Sequence, residues 1–452
     1  MSSTTSENAV KVFDQPISRD SALSFVDYLR RGAKLEAERM CGVEVELFGY
    51  TADRLARLDG EQVQSVLTSF ASSDDDLRFE EASLVEAVME QNGRVSVEPG
   101  GQIEFSNKPR HNLAEAERDV ESYLALLRET AEEHGFLFLA TGFDPLCTIE
   151  EQQWFPKKRY RVMRPFLAKR GPLAWDMMSR TCAVQVNLDY TSEADLAKKF
   201  VLGNHLAPII TAIFACSPFK DGELSGYKST RAAVWLNTDP DRAGPAPFAS
   251  PEKFTFDSFV AYALDVPMIF ARRDGCYLEV PVGTKFKSFL DGMSDIQPVF
   301  EDWIDHLTVI FTDARLKQYI ELRSADCGSP RMWLAAQALW KGLMYDAATL
   351  DEALRLAPEL DSRQAAELRA CVAREGLAAR FAGVDVLGLA KELIKLAALG
   401  LQRIAPDEGK YLDILREQVV EDEVCPADVL LRNWHGSWHG RMDHVIQYLR
   451  VA

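Results

Sequence analysis

The sequence predicts an α+β protein. A sheet region (residues 41–330) is followed by a helical region (residues 331–452), and residues 1–40 supply a leader and a first helix. Three observations predict it. Four stretches far apart in the chain alternate apolar and polar residues with a period of two, the pattern of half-buried strands. After Arg323 the composition shifts to Ala and Leu at helical spacing. Neither G-x-G-x-x-G nor G-x-x-x-x-G-K-[ST] is present; Gly383–Lys391 comes nearest and reads better as an Ala/Leu-rich helix.

In chain order, residues 1–17 read as a loose leader, and Ser21–Lys34 as an amphipathic helix carrying Phe25, Val26 and Leu29. Gly42–Tyr50 (GVEVELFGY) alternates Val43, Val45 and Leu47 with Glu44, Glu46 and Phe48, so two carboxylates share one face. Alone, that pattern better describes a strand whose wet face carries carboxylates for solubility. Residues 60–93 are polar, with an acidic cluster at Asp74–Asp76. Val95–Ser106 sets Gln102, Glu104 and Ser106 against Ile103 and Phe105, with Glu98 just before a Pro-Gly-Gly kink. Asn112 caps a helix from Leu113 to about His134, with Ala116, Val120, Leu124 and Leu127 on one stripe. Gly135–Phe143 is a continuous apolar run, hence a buried strand.

Trp154–Arg180 is strongly basic, and reads as a loop that gathers anions or as a solvated basic surface. Ala183–Asp189 sets Gln185, Asn187 and Asp189 opposite Val184, Val186 and Leu188. A helix is expected from Glu193 to about Ala215. Residues 216–255 form a long excursion rich in Gly, Pro, Ser and Asp, of the kind that builds active sites. Ile320–Arg323 puts Glu321 and Arg323 on one side. If these four strands share a sheet, their acid- and amide-bearing face is a magnesium site.

Bulk properties narrow the function. Lys plus Arg is 51 and Asp plus Glu is 69, a net charge of −18, which argues against a nucleic-acid or acidic-membrane binder. A local Arg cluster still permits an anionic substrate. The polar start MSSTTSENAV lacks a signal peptide's apolar run, and no stretch reaches transmembrane length, so a cytoplasmic protein is expected. The 8 cysteines lack zinc-ligand spacing and read as reduced thiols, with a regulatory disulfide as the alternative. His435, His439 and His444 lie among glycines with no acid at ligand spacing, so no zinc site is expected there. Neither G-x-S-x-G nor H-E-x-x-H occurs.

The ordered blocks GVEVELFGY, VSVEPGGQIEFS, FPKKRYRVM, DMMSRTCAVQVNLDYTSEADL, SPFKDGELSGYKSTRAAVW, NTDPDRAG, YALDVPM and IELRSADCG resemble the glutamate–cysteine ligases of plants and proteobacteria, relatives of glutamine synthetase. The likeness spans roughly residues 40–350. It implies a curled, mainly antiparallel sheet forming a funnel. The reaction it implies is ATP-dependent: the glutamate γ-carboxylate attacks the γ-phosphate, and the cysteine amine then attacks the acyl phosphate. The product is γ-glutamylcysteine, the first step of glutathione synthesis. ATP is the co-substrate, and two or three Mg²⁺ ions are implied, with Glu46, Glu98 and Glu104 sharing one and Glu44, Gln185 and Glu321 another. Arg323, with Glu321, would serve the transferring phosphoryl group. Arg159, Arg231, Trp235 and Arg180 would bind substrate.

One departure bears on the acceptor. The family commonly has tyrosine where this chain has Ile269, a position implied to line the cysteine pocket. A sibling ligase using another amine therefore stands as one rival, and a non-catalytic nucleotide-binding relative as a second. The paired cysteines that make the plant enzymes redox-sensitive have no counterparts at matching positions. A monomer or homodimer is expected.

Overall fold

Residues 16–18 and 21–452 are described by a computed structural model. Its sheet is organised around β1 (Cys41–Thr51). In chain order follow β2 (Leu77–Glu80), β3 (Ser83–Met89), β4 (Gly93–Val97), β5 (Ile103–Asn107), β6 (Phe136–Leu139), β7 (Ala183–Leu188), β8 (Ala314–Leu316) and β9 (Ile320–Asp326). The spatial order is β8-β9-β7-β1-β5-β4-β3-β2, and β6 pairs with the far end of β1. Every pairing in this sheet is antiparallel, and the sheet is open. The four stretches singled out by period-two alternation thus supply β1, β4–β5, β7 and β9.

Alternation explains the two faces. Val43, Val45, Leu47, Ile103, Phe105, Val184 and Val186 are buried on the apolar side. That side is covered by α1 (Leu113–His134), which begins at Asn112, whose side-chain oxygen accepts from the Glu115 N–H at 3.0 Å. Tyr123 of α1 stacks on Phe105 of β5 with ring centroids 4.4 Å apart. Six further helices matter to the site: α2 (Lys158–Leu167), α3 (Ala174–Arg180), α4 (Thr230–Trp235), α5 (Pro330–Met344), α6 (Ser362–Glu375) and α7 (Val386–Ile404).

Several expectations are corrected. The basic stretch 154–180 is not a loop: α2 and α3 occupy most of it, because Tyr160, Met163, Phe166 and Leu167 form a buried helical stripe beneath the charges. The polar stretch 60–93 holds a helix, Gly60–Thr68, capped by the Asp59 carboxylate, as well as β2 and β3. The single helix expected from Glu193 is two, Glu193–His205 and Ala207–Phe214, since Pro208 cannot continue the hydrogen-bond ladder. The first helix runs Ala22–Arg30. The expected leader lies outside the described residues except for Pro16 and Ile17, whose N–H donates to the Pro298 carbonyl at 3.0 Å. Among the described residues no helix is long and apolar enough to cross a membrane, and the cysteines are all free thiols.

The helical region is docked on the sheet. Tyr345, just after α5, donates its hydroxyl to the Met40 carbonyl at 2.5 Å and accepts from the Asp189 N–H at 2.8 Å. It thereby pins the entry of β1 to the exit of β7. At the far end, the Phe138 N–H donates to the Ala452 carbonyl at 3.0 Å, so the last residues extend the β6 edge.

Helices α5 and α7 cross backbone to backbone at Gly342 and Gly400. A methyl group at Gly342 would sit 2.3 Å from the Ala397 carbonyl oxygen. Backbone cannot yield as a flexible side chain does, so Gly342→Ala is expected to cost about 1–3 kcal/mol by overpacking. Thermal denaturation measures it, and an unchanged melting temperature would contradict this account of the crossing.

Candidate active site

Cross-strand register turns the alternation into rows. Glu46 stands opposite Glu104 across β1 and β5, and Glu44 opposite Gln185 across β1 and β7. Glu104 faces Ser96 on β4, while Glu321 faces both Asn187 and Arg315. Of these, Glu44, Glu46, Ser96, Glu104, Gln185 and Arg315 line a cavity of about 300 Å³ on the polar face. Its acids are Glu44, Glu46, Glu98 and Glu104; its cations include Lys157, Arg159, Arg315, Lys317 and Arg323. A second cavity of about 240 Å³ adjoins it, sharing Trp235, Phe311 and Arg323 as a common wall.

The acids are only partly satisfied. Glu46 accepts from the Ala183 N–H at 2.7 Å and from the Gln185 amide at 3.2 Å. Glu44 accepts from Asn187 Nδ2 at 2.8 Å, and Glu104 from the Ser96 hydroxyl at 3.3 Å. Burial, reinforced by Glu321 and Glu104, pushes the Glu44 carboxyl up to about 7. Burial and Glu98 push Glu104 up to about 7 as well, and burial with Glu104 and Glu98 raises Glu46 well above the usual range. Like charges opposed across a ladder destabilise a sheet, so this face is held together by the apolar side behind it.

Glu321 behaves differently. It is fully buried, and burial alone would raise its pKa, yet Arg315, Lys317 and Arg323 hold it well below the usual carboxylate range. Arg315 grips it bidentately at 2.5 and 3.1 Å, Lys317 approaches to 2.9 Å, and Arg323 bonds to it and to the Gln185 amide oxygen. Its oxygens are thus taken by cations, in contrast to the metal-ligand role that the resemblance implies.

Among the described residues no three acidic, His or Cys side chains are drawn together closely enough to hold a metal by themselves. The donor set nonetheless fits a hard divalent cation: Glu44, Glu46, Glu98 and Glu104 offer carboxylate oxygens that burial and mutual repulsion leave short of positive charge.

The remaining expected residues divide. Arg159 lines the first cavity and donates to the Thr308 hydroxyl at 3.3 Å. Arg231, on α4, lines the second and donates to the Arg323 carbonyl at 2.7 Å. Arg323 lies 5.8 Å from the Trp235 ring centroid. Two expectations are corrected. Arg180 lines neither cavity: it is buried against Phe143 and paired with Asp176 at 2.9 Å and Asp221 at 2.5 Å, a structural employment. Ile269 lines neither cavity and is buried in an apolar cluster with Met163, Phe166, Val234 and Phe270. Sequence reading also missed Lys157, Arg315 and Lys317. For the last two a signal exists: Arg315 and Lys317 alternate with apolar Ala314 and Leu316 just before Glu321.

Residues 40–447 match the family model described as glutamate–cysteine ligase family 2. The glutamate–cysteine ligase of Nicotiana tabacum, named as chloroplastic, is 38% identical over 447 residues, covering 98% of this chain and 84% of that one. The chloroplastic enzyme of Brassica juncea is 38% identical, covering 98% and 86%, and that of Arabidopsis thaliana 37% identical, covering 98% and 84%. A solved glutamate–cysteine ligase from Francisella tularensis, in complex with AMP, aligns over 92% of this chain and 88% of that one with a TM-score of 0.58 at 13% identity, a shared fold. The expectation of a cytoplasmic protein is overturned by the chloroplastic relatives. Transit peptides for plastid import are amphipathic and Ser-rich rather than long apolar runs, so the expectation rested on a feature that does not bear on plastid import.

The raised carboxyls make stability depend on pH in a defined direction. Without metal, Glu44 and Glu104 bind more protons folded than unfolded between the ordinary carboxyl value of 4.5 and about 7. Their contribution is therefore present at low pH and lost as pH rises through that window. Glu104→Gln removes one such group, so the variant's melting temperature relative to the parent should improve from about pH 5 to about pH 8 in chelator. A difference independent of pH would contradict the reading.

Proposed function

The chain belongs to the glutamate–cysteine ligase family 2, and from that premise we propose how its two adjoining cavities divide the work of joining glutamate to cysteine at the expense of ATP. One observation carries the division: acids on β1 and β4–β5, with the Gln185 amide of β7, face a cation cluster anchored on Glu321 across one cavity. Such polarity suits a triphosphate whose charge is shared between divalent cations and fixed guanidinium groups.

In this reading Glu46, Glu98 and Glu104 hold one Mg²⁺, and Glu44 with Gln185 contributes to another. Bound magnesium supplies charge neutralisation of the phosphate oxygens. Glu321 orients Arg315, Lys317 and Arg323, and of these Arg323 stands on the wall shared with the second cavity. There it serves the phosphoryl group passing from ATP to glutamate. Lys157, lowered in pKa by burial despite Glu98 and Glu104, adds a donor on the acid side.

The glutamate γ-carboxylate oxygen forms a bond to the γ-phosphorus as the bond to ADP breaks. The cysteine nitrogen then bonds to the acyl carbon, phosphate leaves, and the amine loses a proton. The chain's contribution is to hold these groups in line and to keep compensating charge in place. Arg159 Nε, Arg231 Nε and Trp235 Nε1 are buried and have no hydrogen-bond partner among the described residues. Donors left open in this way suit the carboxylate oxygens of glutamate. Because Ile269 is packed away from both cavities, the motive for a different acceptor amine falls away.

Incubation with ATP, Mg²⁺, glutamate and cysteine should yield a product with the mass of γ-glutamylcysteine, and omission of cysteine should abolish most ADP release. Arg159→Ala and Arg231→Ala should each raise the glutamate KM with little effect on the ATP KM. Losing a charge-assisted hydrogen bond costs about 1.5–3 kcal/mol, roughly 10- to 150-fold. Unchanged glutamate dependence in both variants would remove these arginines from the donor site.

A further inference from the structure

Arg369 lies on α6, far along the helical region, yet it forms part of the wall of the second cavity beside Arg231, Arg323 and Asp313. Its guanidinium is ion-paired with the Asp313 carboxylate, both side chains being only 15% exposed. A methyl at Gly244 would come within 3.1 Å of Arg369 Nη1, so the glycine leaves room for that guanidinium. Helix α6 is also tied to the start of α4, because the Lys228 and Ser229 N–H groups donate to the Ala373 carbonyl at 2.9 and 3.0 Å.

Asp313 is fastened to the substrate-facing backbone. Its carbonyl accepts from the Arg323 N–H at 3.0 Å, and its N–H donates to the Gly244 carbonyl at 3.1 Å. After Arg369, the cations acting on its buried carboxylate are Arg231 and Arg323. Neighbouring acids are already engaged. Asp239 pairs with Arg242 at 2.7 Å and Arg170 at 3.2 Å. Asp326 accepts from the Ser217 and Ser229 hydroxyls at 2.6 and 2.8 Å and stays 3.9 Å from Arg231. Asp313 is thus the wall carboxylate whose freedom depends on a partner from outside the sheet region.

We propose that Arg369 is a positioning residue for glutamate binding: by holding Asp313 it prevents that carboxylate from capturing the guanidinium groups of Arg231 and Arg323, which stay directed at the anionic substrate. A buried carboxylate stripped of its partner takes the nearest remaining cation, since an uncompensated buried charge is strongly unfavourable. The helical region thereby sets the charge that the substrate meets. This inference rests on the assignment of Arg231 to the donor site.

The test is a charge-rescue series on the full chain, with steady-state kinetics in glutamate and in ATP. Arg369→Gln should raise the glutamate KM by about tenfold or more while the ATP KM stays near the parent's. Adding Asp313→Asn should return the glutamate KM to within about threefold of the parent, because the competing charge is gone. Arg369→Lys, which keeps the charge, should remain near the parent. An unchanged glutamate KM in Arg369→Gln, or a double variant as impaired as the single one, overturns the proposal. If Arg369→Gln does not accumulate folded, the double variant alone decides: a near-parental glutamate KM supports the proposal and one raised about tenfold overturns it. Failure of the underlying assignment is seen separately, as an Arg231→Ala variant with unchanged glutamate dependence.

Discussion

Glu46 and Glu104 face one another across the β1–β5 ladder inside a cavity, and most of the surrounding structure follows from that placement. Two carboxylates at opposed positions of neighbouring strands repel, and burial removes the water that would screen them. A sheet tolerates this only where its other face is strongly held. Here it is held by α1 stacked on β5 and by α5 docked beneath β1 and β7, with Tyr345 tying two strand ends together. Stability comes from the apolar face, and unsatisfied charge is kept on the other.

The opposite wall shows the complementary arrangement. Glu321 is the one acid of the group whose charge is fully matched, and it collects Arg315, Lys317 and Arg323 into a fixed cationic cluster. Without that anchor three cations would repel one another and turn toward water. The cavity is thus polarised before any substrate enters, with charge-poor acids facing clamped guanidinium groups. Electrostatic preorganisation of this kind spares reorganisation at the moment of phosphoryl transfer. The adjoining cavity extends the scheme, with Trp235 and Arg323 in the shared wall and Arg231 just beyond.

Much of this was legible in the sequence, for a physical reason. Strand alternation fixes which face a side chain takes, so the sequence alone puts Glu44, Glu46, Glu104 and Gln185 on polar strand faces, and the ordered blocks carry the family. Reading failed where local signals conflict with packing. Pro165 and the dense charge of residues 157–170 disguised a helix whose buried stripe is Tyr160, Met163, Phe166 and Leu167. Arg180 and Ile269 lie next to site-building segments in sequence, but side-chain direction turns one toward Asp176 and Asp221 and the other into an apolar cluster. Neither direction is encoded by spacing alone. Arg369 could not be foreseen, because its meeting with Asp313 depends on how the helical region docks.

The central claim is that the acids of β1 and β4–β5, with Gln185 of β7, are completed by divalent cations that arrive with the nucleotide. Counting Mn²⁺ bound per chain by electron paramagnetic resonance, with and without a non-hydrolysable ATP analogue, tests it most directly. The account predicts weak metal binding alone, binding of about two ions with the analogue, and loss of bound metal in Glu46→Gln. Nucleotide binding that is tight without metal and indifferent to Glu46→Gln would contradict it.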